Sequence, residues 1–383
     1  MMKVLFISHA CISFFHQEKL KLLGSQRDIE LFLVTPQWWQ EGTKKIKYRY
    51  WENLNFKHLA LPTLFTGKQF IHFYLNLSKY LKNIKPDIMH IEEEPHSVAC
   101  FQALWLKNRL GLNAKTVIFS WQNMFQQWRL PNVRYFIYPF CEKYSLQNAD
   151  YIIAGSQTGK EIFSQKGFKG EISVLAQFGV NTDEFRKIDV GDLRQQLGIN
   201  KFVIGYIGRL LKMKGICTLL EAAARLQGDC QLLIIGSGPE KLGLKRYAEK
   251  LGIKECVIFV ESIEHCNVPL YLNCMDVLVL PSEHTANWRE QFGRVLIEAM
   301  ACQVAVIGSS CGEIPNVIAD AGLVFEEGDS QDLWNVLHRL ISNANLRAEI
   351  AKKGRERVLG KFTNEHIAQE THKIYSKLFY QLH

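Results

Sequence analysis

The chain has 383 residues, 47% hydrophobic and 22% charged, with a net charge of +8. That length exceeds one ordinary core and predicts two domains, and a composition without low-complexity tracts excludes a disordered chain. The charge is uneven: residues 1–180 hold 22 Lys/Arg against 13 Asp/Glu, a net of +9, and the rest hold 24 against 25. A basic half admits nucleic acid or an anionic membrane surface as a partner.

No apolar run approaches the ~20 residues that span a bilayer. The start, "MMKVLFISHA", reads as a first strand, with none of the pattern of a secretory leader. Ten cysteines stand singly, with neither C-x-x-C nor zinc-like Cys/His spacing. They predict reduced thiols in a cytoplasmic protein and no structural metal.

Along the first half, "KVLFIS", "IELFLVT", "PDIMHI", "KTVIFS" and "ADYIIAGS" are short apolar runs bounded by turn residues. Helical stretches such as "HQEKLKLLG" and "SVACFQALWLKNRLG" alternate with them. This alternation predicts a parallel sheet with helical crossovers. The segment "GKQFIHFYLNLSKYLKNIKP" reads as a basic amphipathic helix, mixing Phe70, Ile71, Phe73, Tyr74, Leu75, Leu77 and Leu81 with Lys68, Lys79, Lys82 and Lys85. It serves either as a membrane-surface helix or as an ordinary domain helix with a solvated basic face. The polar stretch "QFGVNTDEFRK", 177–187, predicts the seam. "FVIGYIG", "CQLLIIGSGPE", "CVIFVE", "DVLVLPS", "VAVIGSS" and "AGLVFEEGD" then repeat the strand–helix pattern, and "TNEHIAQETHKIYSKLFYQL" closes the chain as an amphipathic helix.

In open parallel sheets ligands bind at the carboxyl ends of strands, so the strand exits of the second half are the informative places. "GYIGRLLKMKG" sets Arg209 and Lys214 around a short loop before a helix, where two cations oppose the helix dipole unless a multivalent anion lies between them. "LLIIGSGPE" gives open backbone at Gly236 and Gly238. "REQFGRVLIEAMA" places Glu290 and Glu298 on either side of Phe292-Gly293, with Gly293 turning the chain into a helix whose first N–H groups favour an anion. Glu298, one turn inside, suits a ribose hydroxyl better than a phosphate; a solvated surface Glu is the bland alternative.

The set "GRLLKMKG", "IIGSGPE", "VLVLPS" and "EQFGRVLIEAMA" resembles the nucleotide-sugar half of the retaining glycosyltransferases with the GT-B fold, family GT4 (glycosyl transferases group 1). The resemblance is strong over roughly residues 175–330. It continues through the first half, where "HIEEEP", "FSWQN" and "QFGVNTDEF" are similar to a subset of the family. It implies an α/β chain with two doubly wound Rossmann-like domains facing across a cleft. The acceptor domain would be 1–178, the nucleotide-sugar donor domain 179–362, and 363–383 a final helix packing back toward the first domain.

The resemblance further implies roles. Glu298 would bond the donor's ribose and Glu290 face the transferred sugar. Phe292, Gly293 and Arg294 would form the turn meeting donor hydroxyls and phosphate, near Gly236 and Gly238. Arg209 and Lys214 would hold the diphosphate. No metal or cofactor is expected, and the chain has no D-x-D. Two departures stand out. "SHACISFFH" lacks the usual Gly-Gly turn, leaving its role to the backbone of residues 9–12. Glu92 and Trp121-Gln122 stand where many members place His on the first-half strand exits. Glu92, Glu93 and Glu94 then read either as acceptor-hydroxyl ligands, with Trp121 and Gln122, or as a solvated turn. The expected partners are a nucleotide-diphosphate sugar, a glycan or lipid-linked acceptor and an anionic membrane surface on the cytoplasmic side, with no nucleic acid. A nucleotide-sugar epimerase and a non-catalytic nucleotide-sugar-binding subunit are the alternatives. A dehydrogenase is disfavoured by the lack of G-x-G-x-x-G after the first strand.

Overall fold

The computed structural model of the chain describes residues 1–13, 16–41, 44–48, 54–125 and 134–382. It divides into two units, Met1–Gly179 with Asn364–His383, and Val180–Thr363.

In the first unit the strands are β1 (Met2–Ile7), β2 (Ile29–Pro36), β3 (Trp38–Glu41), β4 (Lys44–Lys47), β5 (Lys57–Leu61), β6 (Thr63–Leu64), β7 (Phe73–Tyr74), β8 (Ile88–Ile91), β9 (Lys115–Ser120), β10 (Tyr151–Ala154) and β11 (Glu171–Val174). Seven form a parallel sheet in the order β11-β10-β9-β8-β1-β2-β5, while β3–β4 and β6–β7 are separate antiparallel ribbons. The connecting helices are α1 (Glu18–Gly24), α2 (Leu77–Ile84), α3 (Val98–Arg109), α4 (Arg134–Asn148) and α5 (Gln157–Gln165). The central strands read as continuous apolar runs because helices cover both faces of the sheet. Val4 and Phe6 point into one core layer, Leu5 and Ile7 into the other.

The basic amphipathic segment resolves differently from a single long helix. Only Leu77–Ile84 is helical, and the stretch before it holds a turn and β7. Tyr74, Leu77, Leu81 and Ile84 are buried in the core, and Lys68, Lys79, Lys82 and Lys85 are exposed. The apolar stripe packs against the sheet, so the segment is a domain helix with a solvated basic face.

The second unit runs α6 (Gly191–Gln196), β12 (Phe202–Ile207), α7 (Ile216–Ala224), β13 (Cys230–Ile235), α8 (Lys241–Lys250), β14 (Val257–Val260), α9 (Val268–Asn273), β15 (Val277–Leu280), α10 (Arg294–Ala301), β16 (Ala305–Ser309), α11 (Ile314–Ile318), β17 (Leu323–Phe325), α12 (Ser330–Ser342) and α13 (Ala344–Lys361). Its six parallel strands are ordered β14-β13-β12-β15-β16-β17. The last helix, α14 (Asn364–Tyr380), returns to the first unit. There Tyr375 is fully buried and its hydroxyl lies 2.6 Å from His90 Nδ1 on β8. No described helix is long and apolar enough to cross a membrane.

Each sheet has one place where the strand order reverses: between β1 and β8 in the first unit, and between β12 and β15 in the second. Neighbouring crossovers leave a crevice there at the carboxyl ends of the strands.

Candidate active site

At the crevice of the second sheet, the exit of β12 carries Arg209 and a single 3-10 turn, Lys212–Lys214. The exit of β15 carries Pro281 to Glu290. Two bonds tie these loops together: Glu283 N–H donates to Met213 O (2.9 Å), and the Thr218 hydroxyl donates to Glu283 Oε1 (2.6 Å). The tie brings Lys214 Nζ to 2.5 Å from Glu290 Oε2, across 76 residues of sequence. The buried Ser282 hydroxyl donates to the same oxygen at 2.7 Å, and the Lys214 ammonium sits over the Trp288 ring, 4.6 Å from its centroid. Glu290 is thus a nearly buried carboxylate, compensated by a cation and a hydroxyl.

Below this pair lies Tyr206, fully buried on β12, with its hydroxyl donating to Arg209 O at 2.9 Å. Burial and the Glu290 charge push the phenol above its ordinary range, against the opposing charge of Arg209. The Arg209 side chain is exposed and makes no hydrogen bond or ion pair among the described residues. Of the loop's cations, Lys214 is engaged by Glu290, whereas Arg209 and Lys212 are exposed and open to an incoming anion.

Gly293, at φ +78°, is the residue before α10, a left-handed conformation that glycine adopts without strain. Glu298 is buried one turn in. Its Oε1 lies 3.0 Å from His265 Nε2 and 2.9 Å from Arg294 Nε, the latter an ion pair by distance without hydrogen-bond alignment. Phe292 turns inward and meets Phe362 edge-on, with centroids 5.6 Å apart. Gly236 and Gly238 serve a packing need: a Cβ would come 1.9 Å from Gly208 O at the first and 2.2 Å from Leu210 O at the second. They let the β13 exit lie against the loop that carries Arg209, as the bond from Leu210 N–H to Ser237 O (2.9 Å) shows.

The first unit builds a second polar cluster at its own crevice, and the three consecutive glutamates are not a solvated turn. Glu92 is buried and accepts from the buried Lys19 ammonium (2.6 Å) and the Gln177 amide (3.0 Å). Glu93 accepts from His9 N–H (2.9 Å) and the Tyr74 hydroxyl (3.0 Å), with His9 Nδ1 at 2.6 Å and His72 Nε2 at 3.5 Å. Glu94 accepts from the Ser120 hydroxyl (2.6 Å) and Trp121 N–H (3.0 Å). The indole N–H of Trp121 donates to Gln177 Oε1 (2.6 Å), and Lys166 Nζ donates to Gln122 Oε1 (3.1 Å). Sequence reasoning singled out these five residues but missed the partners His9, Lys19, His72, Tyr74 and Gln177. Only His9, directly after the first strand, carried a signal in its position.

Burial alone would raise the Glu93 carboxyl, but the His9 and His72 imidazoles outweigh it and hold it well below the usual range. Burial alone would likewise depress His9, yet Glu93 keeps it above its ordinary value. Burial pushes Glu94 up. The first pair has a pH signature. A raised His9 contributes stability that is fully present below its ordinary value of 6.5 and is lost as pH rises through the folded value. A depressed Glu93 contributes stability present above its ordinary 4.5 and lost as pH falls. The stability difference between the wild type and His9→Asn should therefore be largest between about pH 4.5 and 6.5 and shrink on either side, read by urea unfolding across pH. A difference that is flat with pH would contradict the pairing.

Among the described residues, His9, His72 and Glu93 are the group whose ligand atoms all lie close enough for a metal, within 4.8 Å of one another. The 2.6 Å between His9 Nδ1 and Glu93 Oε2 is a hydrogen-bond spacing. Two ligands each about 2.0–2.2 Å from a tetrahedral zinc stand farther apart than that. The cluster is built as a His–carboxylate pair.

The family model for glycosyl transferases group 1 matches residues 189–357, which span both exit loops and α10. The chain belongs to the glycosyl transferases group 1 family. Among relatives, a capsular polysaccharide biosynthesis glycosyltransferase, CapM, of Staphylococcus aureus is 31% identical over 63% of this chain and 66% of its own length. The N-acetyl-alpha-D-glucosaminyl L-malate synthase of Bacillus anthracis is 31% identical over 49% of each chain. The chain thus spans from about half to about two thirds of these two relatives. An N,N'-diacetylbacillosaminyl-diphospho-undecaprenol alpha-1,3-N-acetylgalactosaminyltransferase of Campylobacter jejuni is 26% identical over 98% of this chain and 99% of its own. Among solved structures, sucrose-phosphate synthase from Thermosynechococcus elongatus superimposes with a TM-score of 0.74 at 21% identity, covering all of both chains. Anabaena Alr3699/HepE in complex with UDP gives 0.76 at 18% identity, covering 98% of this chain and all of that one. The architecture is GT-B.

Proposed function

We propose that this protein is a retaining, metal-independent glycosyltransferase that moves a sugar from a nucleotide-diphosphate sugar to a glycan or lipid-linked acceptor. The observation that carries the reading is the loop pair at the second switch point, where an open Arg209 and a Glu290-paired Lys214 stand beside the amino terminus of α10. When the bond between the anomeric carbon and the phosphate oxygen breaks, the leaving diphosphate gains negative charge. The held Lys214, the open Arg209 and a helix terminus stabilise that charge more in the transition state than in the ground state. Glu290 faces the transferred sugar, and Glu298, oriented by His265 and Arg294, accepts from the ribose hydroxyls. Phe292 and Gly293 shape the turn that meets the donor. The unit Val180–Thr363 is then the donor unit, and the other, with Glu92, Glu93, Glu94, Trp121 and Gln122 at its crevice, the acceptor unit.

The relative from Campylobacter jejuni bears a name describing transfer to a diphospho-undecaprenol-linked sugar. That name and the basic first half support an acceptor presented at the cytoplasmic face of a bacterial membrane, with the enzyme attached peripherally. The test is a panel of nucleotide sugars, read by thermal shift, because a bound donor stabilises by mass action. One donor class should raise the melting temperature and then turn over, with turnover unchanged by EDTA. Glu298→Gln should weaken the free nucleoside diphosphate by about 1–3 kcal/mol, the worth of a charged hydrogen bond. An unchanged affinity would remove Glu298 from the ribose.

A further inference from the structure

With the stripe of α2 packed inward, an exposed apolar surface remains on α3 and α4. Phe136 is 70% exposed, Phe140 60%, and Ile137 and Trp105 42% each. These residues form one continuous face. The Phe101 and Phe140 rings lie 5.5 Å apart and join the two helices. Trp105 is one turn beyond Phe101, and the Arg109 guanidinium stacks over Trp105 at 5.4 Å. Phe136 and Ile137 stand one turn before Phe140. Water around so many neighbouring aromatics is unfavourable, and such a patch marks an interaction surface.

We propose that this face docks the protein on an anionic lipid bilayer, an inference that rests on the reading of a membrane-presented acceptor. Charge chooses the occupant. Among the described residues, the exposed cations of the two helices are Arg109 and Lys143; Lys107 is held by Asp150 at 3.7 Å, and the single acid, Glu142, is held by Lys166 at 2.5 Å. Arg109 and Lys143 are exposed beside the aromatics. A second copy would bring the same positive face and be repelled, whereas anionic headgroups attract it while the rings enter the acyl boundary. Placement agrees. Tyr138, next to Ile137 in the start of α4, meets the His96 ring at 6.0 Å, so this end of α4 lies beside the β8 exit that carries Glu92 to Glu94. Docking there brings the candidate acceptor crevice to the lipid surface.

The experiment is sedimentation of the full chain with vesicles of phosphatidylcholine alone or of equimolar phosphatidylcholine and phosphatidylglycerol, at low and high salt. The wild type should pellet only with the anionic vesicles and be released by salt, since surface charge is screened within about 8–10 Å. Phe136→Ser with Phe140→Ser should lower the partition coefficient at least about tenfold, and Arg109→Glu with Lys143→Glu should do the same through charge. All touched side chains are exposed, so both variants should keep the wild-type melting temperature and donor thermal shift; if one pair fails to fold, the other tests the same face. Failure of the wild type to bind, equal binding to neutral vesicles, or undiminished binding by the folded variants would overturn the proposal. A wild-type dimer that becomes monomeric in the Phe variant would assign the face to a second copy. Vesicle binding without turnover of any nucleotide sugar would instead count against the proposed activity and leave the docking face standing.

Discussion

Replacing Lys214 by Ala should lower kcat by about 10²–10³-fold, the usual loss when one fixed donor to a developing anion is removed, and change donor affinity far less. The reason is the timing of charge. In the resting protein the ammonium is bonded to Glu290 at 2.5 Å, so its interaction with a ground-state diphosphate is shared. As the leaving group gains charge, the balance moves toward it, and the interaction strengthens where it accelerates the reaction. The substitution also removes the cation from the nearly buried Glu290 carboxylate while the Ser282 hydroxyl stays bonded to it, which should cost about 1–3 kcal/mol of stability. Lys214→Ala combined with Glu290→Gln should restore the melting temperature without restoring turnover. Steady-state kinetics on the donor decides: a raised KM with kcat intact would mean that Lys214 binds donor uniformly and has no special part in bond breaking.

The second large effect lies in the other unit. Lys19 is 2% exposed and its ammonium sits 2.6 Å from the buried Glu92. Lys19→Met keeps the volume and removes the charge, leaving a carboxylate in the core with the Gln177 amide as its main support. Breaking one side of a buried pair costs about 3–5 kcal/mol, a large share of the roughly 5–15 kcal/mol that holds a domain folded. Calorimetry should then show the first unit melting in a separate, earlier transition, with the second unit unmoved. Adding Glu92→Gln should recover much of the loss, because neither partner then carries a buried charge. A single unchanged transition in Lys19→Met would show that the Lys19–Glu92 pair contributes little to the stability of this unit.

These two pairs mark the boundary of what the sequence could say. The strands and crossovers were legible because their signals are local: apolar runs such as "KVLFIS" and "DVLVLPS", turn residues between them, and a period that changes from strand to helix. The exit loops of the second unit were legible for the same reason, since Arg209 with Lys214, and Glu290 with Glu298, are each close in sequence and follow strands. Who meets whom across the sheet was not. Lys214 reaches Glu290 across 76 residues, Lys19 reaches Glu92 across 73, and His9 reaches Glu93 across 84. Each encounter is set by strand order, and in both units the exits that meet belong to the two strands flanking the reversal. The segment at 68–85 makes the same point from the apolar side. Its period describes a helix with one greasy face, but a period is the same whether that face meets a sheet or a bilayer. Packing of Leu77, Leu81 and Ile84 into the core chose the sheet. The exposed rings of α4 escaped a reading by periodicity because "RYFIYPFCEKY" is apolar around most of its circumference, and only burial of one side by the neighbouring sheet and α3 leaves Phe136 and Phe140 facing out. Composition and local period determine which elements form; the assignment of each face and each charge to a partner is a long-range property that exists once the sheets are assembled.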